Sequence, residues 1–268
     1  MEAIQQARPF ERQERARTAE SVMEQEKGSF DMKTIAVDIM DFLKGSGFTE
    51  MMPDSREAFS IPEFEWEELE IGKKTRKKQS RLIRGVCVYD TETGKIRVET
   101  DELSSAEAIR LVEIALARIS KPAIRIPFEE EKIPKLSYER AFQILKREGF
   151  PVEEGLEIPE ESIKSLSLMF EQPFFLVEFP SELGAFHDRE DPMHPEFLRN
   201  FELVCPDGLG RAAFGGEREK SPEKVMERLD LLGEESEKYR KYFEEWNPCQ
   251  CGFSIDVEKI AEYLKSLN

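Results

Sequence analysis

The segment "NFELVCPDGLGRAAFGGERE", residues 200–219, carries the pattern from which the fold can be inferred. Apolar and polar residues alternate on both sides of the turn "GLG", which is typical of two antiparallel strands joined in a hairpin. The second strand ends in two glycines followed by Glu217, Arg218 and Glu219. Because glycines let a ligand approach the backbone closely, this charged strand end indicates a binding site. The alternative is a surface turn on which Arg218 pairs with Glu217 or Glu219.

Further strands and helices are predicted on both sides of this hairpin. Alternating runs predict a hairpin within 81–103, "GFTEMMP" is a short strand that ends at Pro53, "PFFLVEFP" at 173–180 is a short buried strand between prolines, and a last strand is predicted at 251–256. Helical spacing or capping residues predict helices at the positions 31–44, 104–119, 137–149, 223–233 and 257–268. Ser104 and Ser105 with Glu107 predict the start of the second of these helices, and Ser137 predicts the start of the third. Strands interleaved with one-sided helices predict an α+β fold, an antiparallel β-sheet flanked by helices. We expect a charged N-terminal arm or helix at 1–29 and a single core domain at 30–268.

The charge of the chain restricts the class of partner. The sequence has 268 residues and a formal net charge of −17. Proteins that bind nucleic acids through phosphate contacts present clustered Lys and Arg instead. We therefore expect no DNA partner, and we do not expect tRNA. The basic segment "GKKTRKKQSRLIR", residues 72–84, is an exception, and it is either a solvated loop or a contact for a polyanion.

The location of the protein and the use of its cysteines are also indicated by the sequence. No apolar run approaches the roughly 20 residues that a membrane helix needs, and the N-terminus lacks the apolar region of a signal peptide, so we expect a cytoplasmic protein with no membrane partner. Cys249 and Cys251 have the spacing CxC rather than the CxxC of most zinc sites. Small buried side chains are favoured over a metal site.

The order of these segments carries a family resemblance. Helix, "GFTEMMP", hairpin, helix, "LSYERAFQILKREGF", "PFFLVEFP", the 200–219 hairpin and "CGFSIDVEKI" together resemble the catalytic core of a class II aminoacyl-tRNA synthetase. The likeness is to asparaginyl-tRNA synthetase and, closer still, to its archaeal paralogue, which lacks the anticodon-binding domain and makes asparagine from aspartate. It covers roughly residues 30–264. It implies ATP and Mg as cofactors, an amino acid of the aspartate or asparagine class as ligand, and a homodimer through the helix 31–44 and Pro53.

The resemblance also implies residues for the amino-acid end of the site. Arg218 corresponds to the arginine that grips the substrate side chain, and a guanidinium fork matches a planar carboxylate in two hydrogen bonds. Glu217 beside it is a second candidate for substrate binding. Arg211 is a third, since a cation there could bind a phosphate or a carboxylate by itself.

Residues for the nucleotide end follow from the other motifs of the family. Glu202 corresponds to an acid that holds magnesium, and together with Arg84 it is a catalytic candidate. Arg81, Glu258 and Lys259 are candidates for binding the nucleotide, because they lie in the second and third class II motifs.

Several of these positions depart from the family pattern. Arg211 occupies the place of a second magnesium-binding acid, and a cation there repels a metal ion. Lys259 replaces an arginine, and the glutamate expected two residues after Arg81 is missing. Bulkier residues, namely Phe253, Ser254 and Asp256, fill places where glycines make room for the nucleotide.

These departures leave two candidate functions for the chain. One is an ATP-dependent, AMP-forming ligase of the asparagine synthetase type; the other is a catalytically inactive paralogue that binds an amino acid or a partner.

Overall fold

The computed structural model of the chain describes residues 31–51, 85–119, 133–231 and 250–267. Some of the predicted features fall on residues outside these ranges, namely the arm at 1–29, Pro53, the basic segment 72–84 with Arg81 and Arg84, and Cys249. Among the described helices, none is long and apolar enough to cross a membrane.

The described residues form helices and strands in the predicted order. The helices are α1 (Met32–Gly45), α2 (Ser105–Ile119), α3 (Tyr138–Arg147), α4 (Glu160–Ser167), α5 (Pro222–Leu231) and α6 (Val257–Ser266). The strands are β1 (Phe48–Glu50), β2 (Gly85–Asp90), β3 (Lys95–Thr100), β4 (Lys135–Ser137), β5 (Phe174–Val177), β6 (Asn200–Cys205), β7 (Gly210–Glu217) and β8 (Cys251–Asp256). Two of these elements, α4 and β4, were not predicted from the sequence.

All eight strands belong to one sheet with the order β1-β2-β3-β8-β7-β6-β5-β4. The six strands from β2 to β5 in this order pair antiparallel, which confirms the predicted antiparallel sheet flanked by helices. At each edge a parallel pair is added, β1 with β2 and β4 with β5. Parallel neighbours need a long crossover connection, and residues 52–84 and the helices α3 and α4 lie in these two connections.

The two faces of the sheet differ in what covers them. Helices α1, α2 and α6 pack on one face, which we call the helix-covered face, and enclose the larger apolar cluster. Helices α3 and α4 pack on the other face, over β4, β5 and β6, and enclose the smaller cluster. On β3, β8 and β7 this second face carries mainly polar residues, and we call that area the polar face. Its residues are Arg97, Glu99, Gly252, Ser254, Phe214 and Gly216, which neighbour one another in the strand registers.

Local capping signals position the helices as the sequence predicts. Ser104 and Glu107 form a reciprocal capping box at the start of α2, with the backbone N–H of Ser104 donating to the Glu107 carboxylate at 2.8 Å and the N–H of Glu107 donating to the Ser104 hydroxyl at 3.3 Å. The Ser137 hydroxyl accepts from the N–H of Arg140 and caps α3. Gly149, with φ of +81°, follows α3 and supplies the left-handed turn that ends it.

Candidate functional site

Two clusters of charged side chains lie at opposite ends of β7. Arg211 is the second residue of the strand, and Arg218 directly follows its last residue. Since a strand rises about 3.3 Å per residue, the two arginines are separated by roughly 20 Å along the sheet. The predicted site residues therefore divide into two groups, which have different surroundings.

The first group, which we call the Arg218 cluster, consists of Glu99, His187, Asp188, Asn200 and Arg218. The Arg218 side chain lies over Gly252 of β8, because a Cβ added to that glycine would be 3.3 Å from Arg218 Nη2. A larger residue at position 252 would displace the guanidinium. Arg218 Nη1 donates to Asp188 Oδ1 at 3.0 Å, and both side chains are mostly shielded from solvent.

The second oxygen of Asp188 has two further donors. It accepts from Asn200 Nδ2 and from the backbone N–H of Ala185, both at 3.3 Å. The other end of the Asn200 amide, Oδ1, is buried and has no hydrogen-bond partner among the described residues. Buried acceptors are normally paired, so this oxygen is an exception among the buried polar atoms of the described residues.

Glu99 places a second carboxyl beside Arg218. It is the register partner of Gly252, over which the guanidinium lies. Burial raises the pKa of Glu99 to about 7, although the charges of Arg218 and Arg97 oppose the rise. Burial lowers the pKa of His187 to about 4, and the cationic side chains of Arg218 and Arg228 add to this effect. At neutral pH, His187 is therefore uncharged and Glu99 is near the midpoint of its titration.

These two shifts predict opposite pH dependences of stability. Folded Glu99 binds more protons than the unfolded chain between the ordinary glutamate pKa of 4.5 and about 7, so its contribution to stability falls as pH rises through that window. Folded His187 binds fewer protons between about 4 and 6.5, so its contribution rises with pH. The slope of each contribution is at most about 1.4 kcal/mol per pH unit and is reduced by solvent screening.

Urea unfolding of wild type, Glu99→Gln and His187→Asn across pH 4 to 8 measures both slopes. The stability of wild type relative to Glu99→Gln is expected to fall between pH 4.5 and 7. Relative to His187→Asn, it is expected to rise between pH 4 and 6.5. Parallel curves for all three proteins would contradict the assigned environments.

The second group, which we call the Arg211 cluster, consists of Glu157, Glu160, Glu202, Arg211 and Lys259. Arg211 Nε donates to Glu202 Oε2 at 2.7 Å, and its Nη1 donates to Glu160 Oε2 at 2.6 Å. Its Nη2 donates to the carbonyl oxygen of Ile158 at 3.1 Å and lies 3.6 Å from Glu157 Oε1. All three guanidinium nitrogens are therefore engaged within the chain.

Lys259 extends this cluster from the first turn of α6. Its Nζ lies 3.3 Å from Glu160 Oε1, so the two oxygens of Glu160 are shared between a lysine and an arginine. Burial opposes ionisation of Glu160, but Arg211 and Lys259 together lower its pKa. Burial raises the pKa of Glu202, and the charge and hydrogen bond of Arg211 oppose that rise. Glu202, Arg211 and Lys259, three of the predicted site residues, are thus brought together.

The remaining described candidates lie elsewhere. Glu217 is 2% exposed, and its carboxylate accepts from the N–H of Ser105 at the start of α2 and from Arg189 and Arg199. Its partners therefore belong to the helix-covered side and to the neighbouring loop. Glu258 is exposed in the first turn of α6.

The bulkier residues of β7 and β8 occupy both faces. Phe253 is 4% exposed and packs against Phe201 in the larger apolar cluster, so it does not fill the polar face, contrary to the sequence-based interpretation. Phe214 and Ser254 are register partners on the polar face, and Phe214 is 50% exposed. The Asp256 side chain accepts from the N–H of Lys259 and caps α6.

Six residues of these clusters were not predicted from the sequence as site residues, namely His187, Asn200 and four acids. Of the acids, Asp188 lies between β5 and β6, Glu99 lies on β3, Glu157 lies in the segment before α4, and Glu160 begins α4. The sequence "FHDRED" around Asp188 is a signal, since it mixes His, Asp and Arg, but it is equally typical of a solvated acidic loop. Glu160 gives no local signal, because its partner Arg211 is 51 residues away.

The cysteines and acids of the described residues form no metal centre. The side chains of Cys87, Cys205 and Cys251 are buried, which agrees with the interpretation of Cys251 as a small buried side chain. Burial raises the pKa of Cys87 and of Cys205 to about 12, so both are unreactive at neutral pH. Within the described ranges, no group of three or more His, Cys, Asp and Glu side chains could hold a metal ion.

A mixed sheet of this strand order, flanked by helices, is the fold of a class II aminoacyl-tRNA synthetase core. The family model described as "tRNA synthetases class II (D, K and N)" matches residues 67–266. The chain belongs to this family.

Relatives of known function lie within the asparaginyl branch of that family. The asparagine–tRNA ligase of Pyrococcus abyssi is 28% identical over 142 residues, which are 52% of this chain and 33% of the relative. The asparagine–tRNA ligase of Symbiobacterium thermophilum is 27% identical over 200 residues, which are 69% of this chain and 45% of the relative. The chain thus spans between a third and a half of the length of these relatives.

Solved structures share the fold over most of the chain. Asparaginyl-tRNA synthetase from Pyrococcus horikoshii superposes with a TM-score of 0.65 at 20% identity, covering 88% of this chain and 63% of that one. Aspartyl-tRNA synthetase from Entamoeba histolytica gives a TM-score of 0.62 at 15% identity, covering 87% of this chain and 54% of that one. At these identities the likeness establishes the fold alone.

Class II synthetases use ATP and Mg, and Glu202 is the described residue that the family resemblance assigns to the magnesium ion. Magnesium is held by carboxylate oxygens and water in octahedral geometry. Here the Glu202 carboxylate is bonded to a guanidinium at 2.7 Å, and Lys259 is bonded to Glu160. The Arg211 cluster therefore does not fit a magnesium ion held at Glu202.

Proposed function

We propose that this chain is an amino-acid-binding class II synthetase core, divergent from asparaginyl-tRNA synthetase, that takes a ligand of the asparagine class at Arg218. The observation that carries this function is the position of the Arg218 guanidinium, which lies over Gly252, is paired with Asp188 and acts on the charge of Glu99. Synthetases of this class bind an amino acid, and the family resemblance assigns the amino-acid end to the strand end that carries Arg218.

The charge of the Arg218 cluster favours an amide over a carboxylate. A ligand side chain that reaches Arg218 also meets Asp188 and the partly ionised Glu99, so an additional carboxylate would be repelled, mainly by Asp188. A carboxamide is neutral and has both an acceptor oxygen and two N–H donors. Its oxygen can accept from Arg218, and its N–H groups can donate to Asp188. Asparagine matches this set of partners better than aspartate.

An ATP-dependent, AMP-forming ligase of the asparagine synthetase type is the second function that the family suggests. This reaction requires a nucleotide next to Glu202, Glu258 and Lys259. It would also use Arg81 and Arg84, which are not among the described residues. Because Glu202 and Lys259 are engaged by other side chains, the geometry favours amino-acid binding over this reaction. Pyrophosphate exchange with each amino acid separates the two functions.

We also infer a homodimer, since synthetases of this class are typically dimers. Helix α1 buries Ile35, Ile39 and Leu43 in the core of its own chain and exposes Val37, which is 50% accessible. The exposed side of α1, with Pro53, is the surface that we assign to the second copy. We do not include tRNA as a partner, because the net charge of −17 opposes phosphate binding.

Selectivity between L-asparagine and L-aspartate tests the proposed ligand. Isothermal titration calorimetry of the wild-type protein is expected to give at least about tenfold tighter binding of asparagine, since juxtaposed like charges cost a kcal/mol or more. Asp188→Asn removes one of the two repelling charges and is expected to raise the affinity for aspartate. Binding of neither amino acid, or tighter binding of aspartate by the wild-type protein, would contradict the proposed function.

A further inference from the structure

We infer that the guanidinium of Arg211 occupies the place of a divalent metal ion at Glu202. The Glu202 carboxylate is then neutralised by a side chain of the protein and does not bind a metal ion. The inference is independent of the amino acid bound at Arg218, because the two arginines lie at opposite ends of β7.

The geometry of the Arg211 cluster is that of a cation among oxygen ligands. Four oxygen-bearing groups surround the guanidinium, from Glu202, Glu160, Ile158 and Glu157, at distances between 2.6 and 3.6 Å. They come from β6, from α4 and from the segment before α4. A single cation thus joins three segments of the chain, as a bound metal ion does.

The charge balance of the cluster leads to the same conclusion. The side chain at position 211 reaches Glu202 on the neighbouring strand, so an acid there would form a pair of carboxylates with Glu202, which a divalent cation would neutralise. Replacing that acid by arginine changes the local charge by two units, which equals the charge of the ion. The pair of Glu202 and Arg211 is therefore neutral without a metal.

Burial and packing keep the arrangement in place. The Glu202 and Arg211 side chains are 13% and 15% exposed. Glu160 lies against Gly210, where an added Cβ would be 2.9 Å from Glu160 Oε1. The glycine at this position lets α4 approach β7 closely enough for Glu160 to reach Arg211. Water and ions have little access to Glu202 as a result.

Manganese binding measured by electron paramagnetic resonance tests the inference, because free Mn²⁺ gives a signal that the bound ion loses. The acidic surface of the protein binds some Mn²⁺, so the informative quantity is the part that depends on Glu202. Wild type and Glu202→Gln are expected to bind the same amount. Loss of a bound Mn²⁺ in Glu202→Gln would overturn the inference.

The reverse change supplies the second arm of the test. Arg211→Glu is expected to create a carboxylate pair with Glu202 and to bind one additional Mn²⁺ per chain, and the double variant Arg211→Glu/Glu202→Gln is expected to lose it. Arg140→Glu on the exposed side of α3 makes the same charge change away from any acid pair and is the matched control. No additional Mn²⁺ in a folded Arg211→Glu variant, or an equal gain in the control, would contradict the role of Arg211. If Arg211→Glu does not fold, the comparison of wild type with Glu202→Gln still shows whether Glu202 binds Mn²⁺ in the wild-type protein.

Discussion

Replacing Arg211 with glutamine is expected to lower the free energy of unfolding by about 3 kcal/mol, because removing one partner of a buried ion pair leaves the other charge uncompensated. Glu202 is the group left behind, and its side chain is only 13% exposed. Glu160 loses a hydrogen bond of 2.6 Å at the same time, so the contact between α4 and the sheet weakens. Urea unfolding followed by circular dichroism measures the change.

The sign of the pH dependence separates an ion-pair effect from a simple packing defect. Burial already raises the pKa of Glu202 in the wild-type protein, and in the variant the Arg211 guanidinium no longer opposes that rise. A carboxyl whose folded pKa is raised destabilises the fold more as pH increases. The loss caused by Arg211→Gln is therefore expected to be larger at pH 8 than at pH 5. Arg140→Gln, on the exposed side of α3, is the control and is expected to change stability by less than about 0.5 kcal/mol. A pH-independent loss would contradict the assigned ion pair.

Arg218→Ala is expected to reduce asparagine affinity at least about 100-fold while leaving the melting temperature nearly unchanged. Charge-assisted hydrogen bonds from a guanidinium contribute roughly 1.5 to 3 kcal/mol each, and about 2.7 kcal/mol corresponds to a factor of 100. Stability changes little because Asp188 retains the Asn200 amide and the N–H of Ala185 as donors. Calorimetric titration and a thermal unfolding curve, recorded on the same preparation, measure the two quantities.

A matched variant shows whether the loss is specific to the position of Arg218. Arg97→Ala removes the same charge from the same face, but the Arg97 side chain is 54% exposed and pairs only at 3.8 Å with Asp90 among the described residues. It is expected to keep asparagine affinity within a few fold. Equal loss in both variants would indicate a general effect of charge, and a drop in melting temperature with unchanged affinity would assign Arg218 to stability instead.

The sequence predicted those features that depend on neighbouring residues. Alternation in 200–219 predicted β6 and β7, the Ser104 and Glu107 pair predicted the start of α2, and Ser137 predicted the start of α3, because each signal lies within one element. The parallel edge pairs were not predicted, since alternation does not identify the partner of a strand. The face on which Phe253 lies was not predicted for the same reason: only the register with Val98 and Gly215 shows that it faces the core.

The candidate site was predictable in part. Arg218 and Glu202 were identified from the sequence because Glu202 lies on the first strand of the hairpin and Arg218 directly follows the second. The engagement of Arg211 and Lys259 by Glu160 was not predictable, because these contacts span 51 and 99 residues and exist only once α4 has packed on β7. The sequence alone showed that Arg211 stands where the family has an acid. It did not show which side chains would pair with Arg211.

A calorimetric titration of the wild-type protein with L-asparagine in EDTA, repeated with MgCl₂ and ATP, shows whether the amino acid binds without metal and nucleotide. We predict stoichiometric asparagine binding in EDTA and an unchanged dissociation constant when magnesium and ATP are added, because Arg218 holds the ligand and Arg211 replaces the metal. Binding that occurs only with magnesium and ATP would contradict metal-independent binding at Arg218 and would favour the ligase.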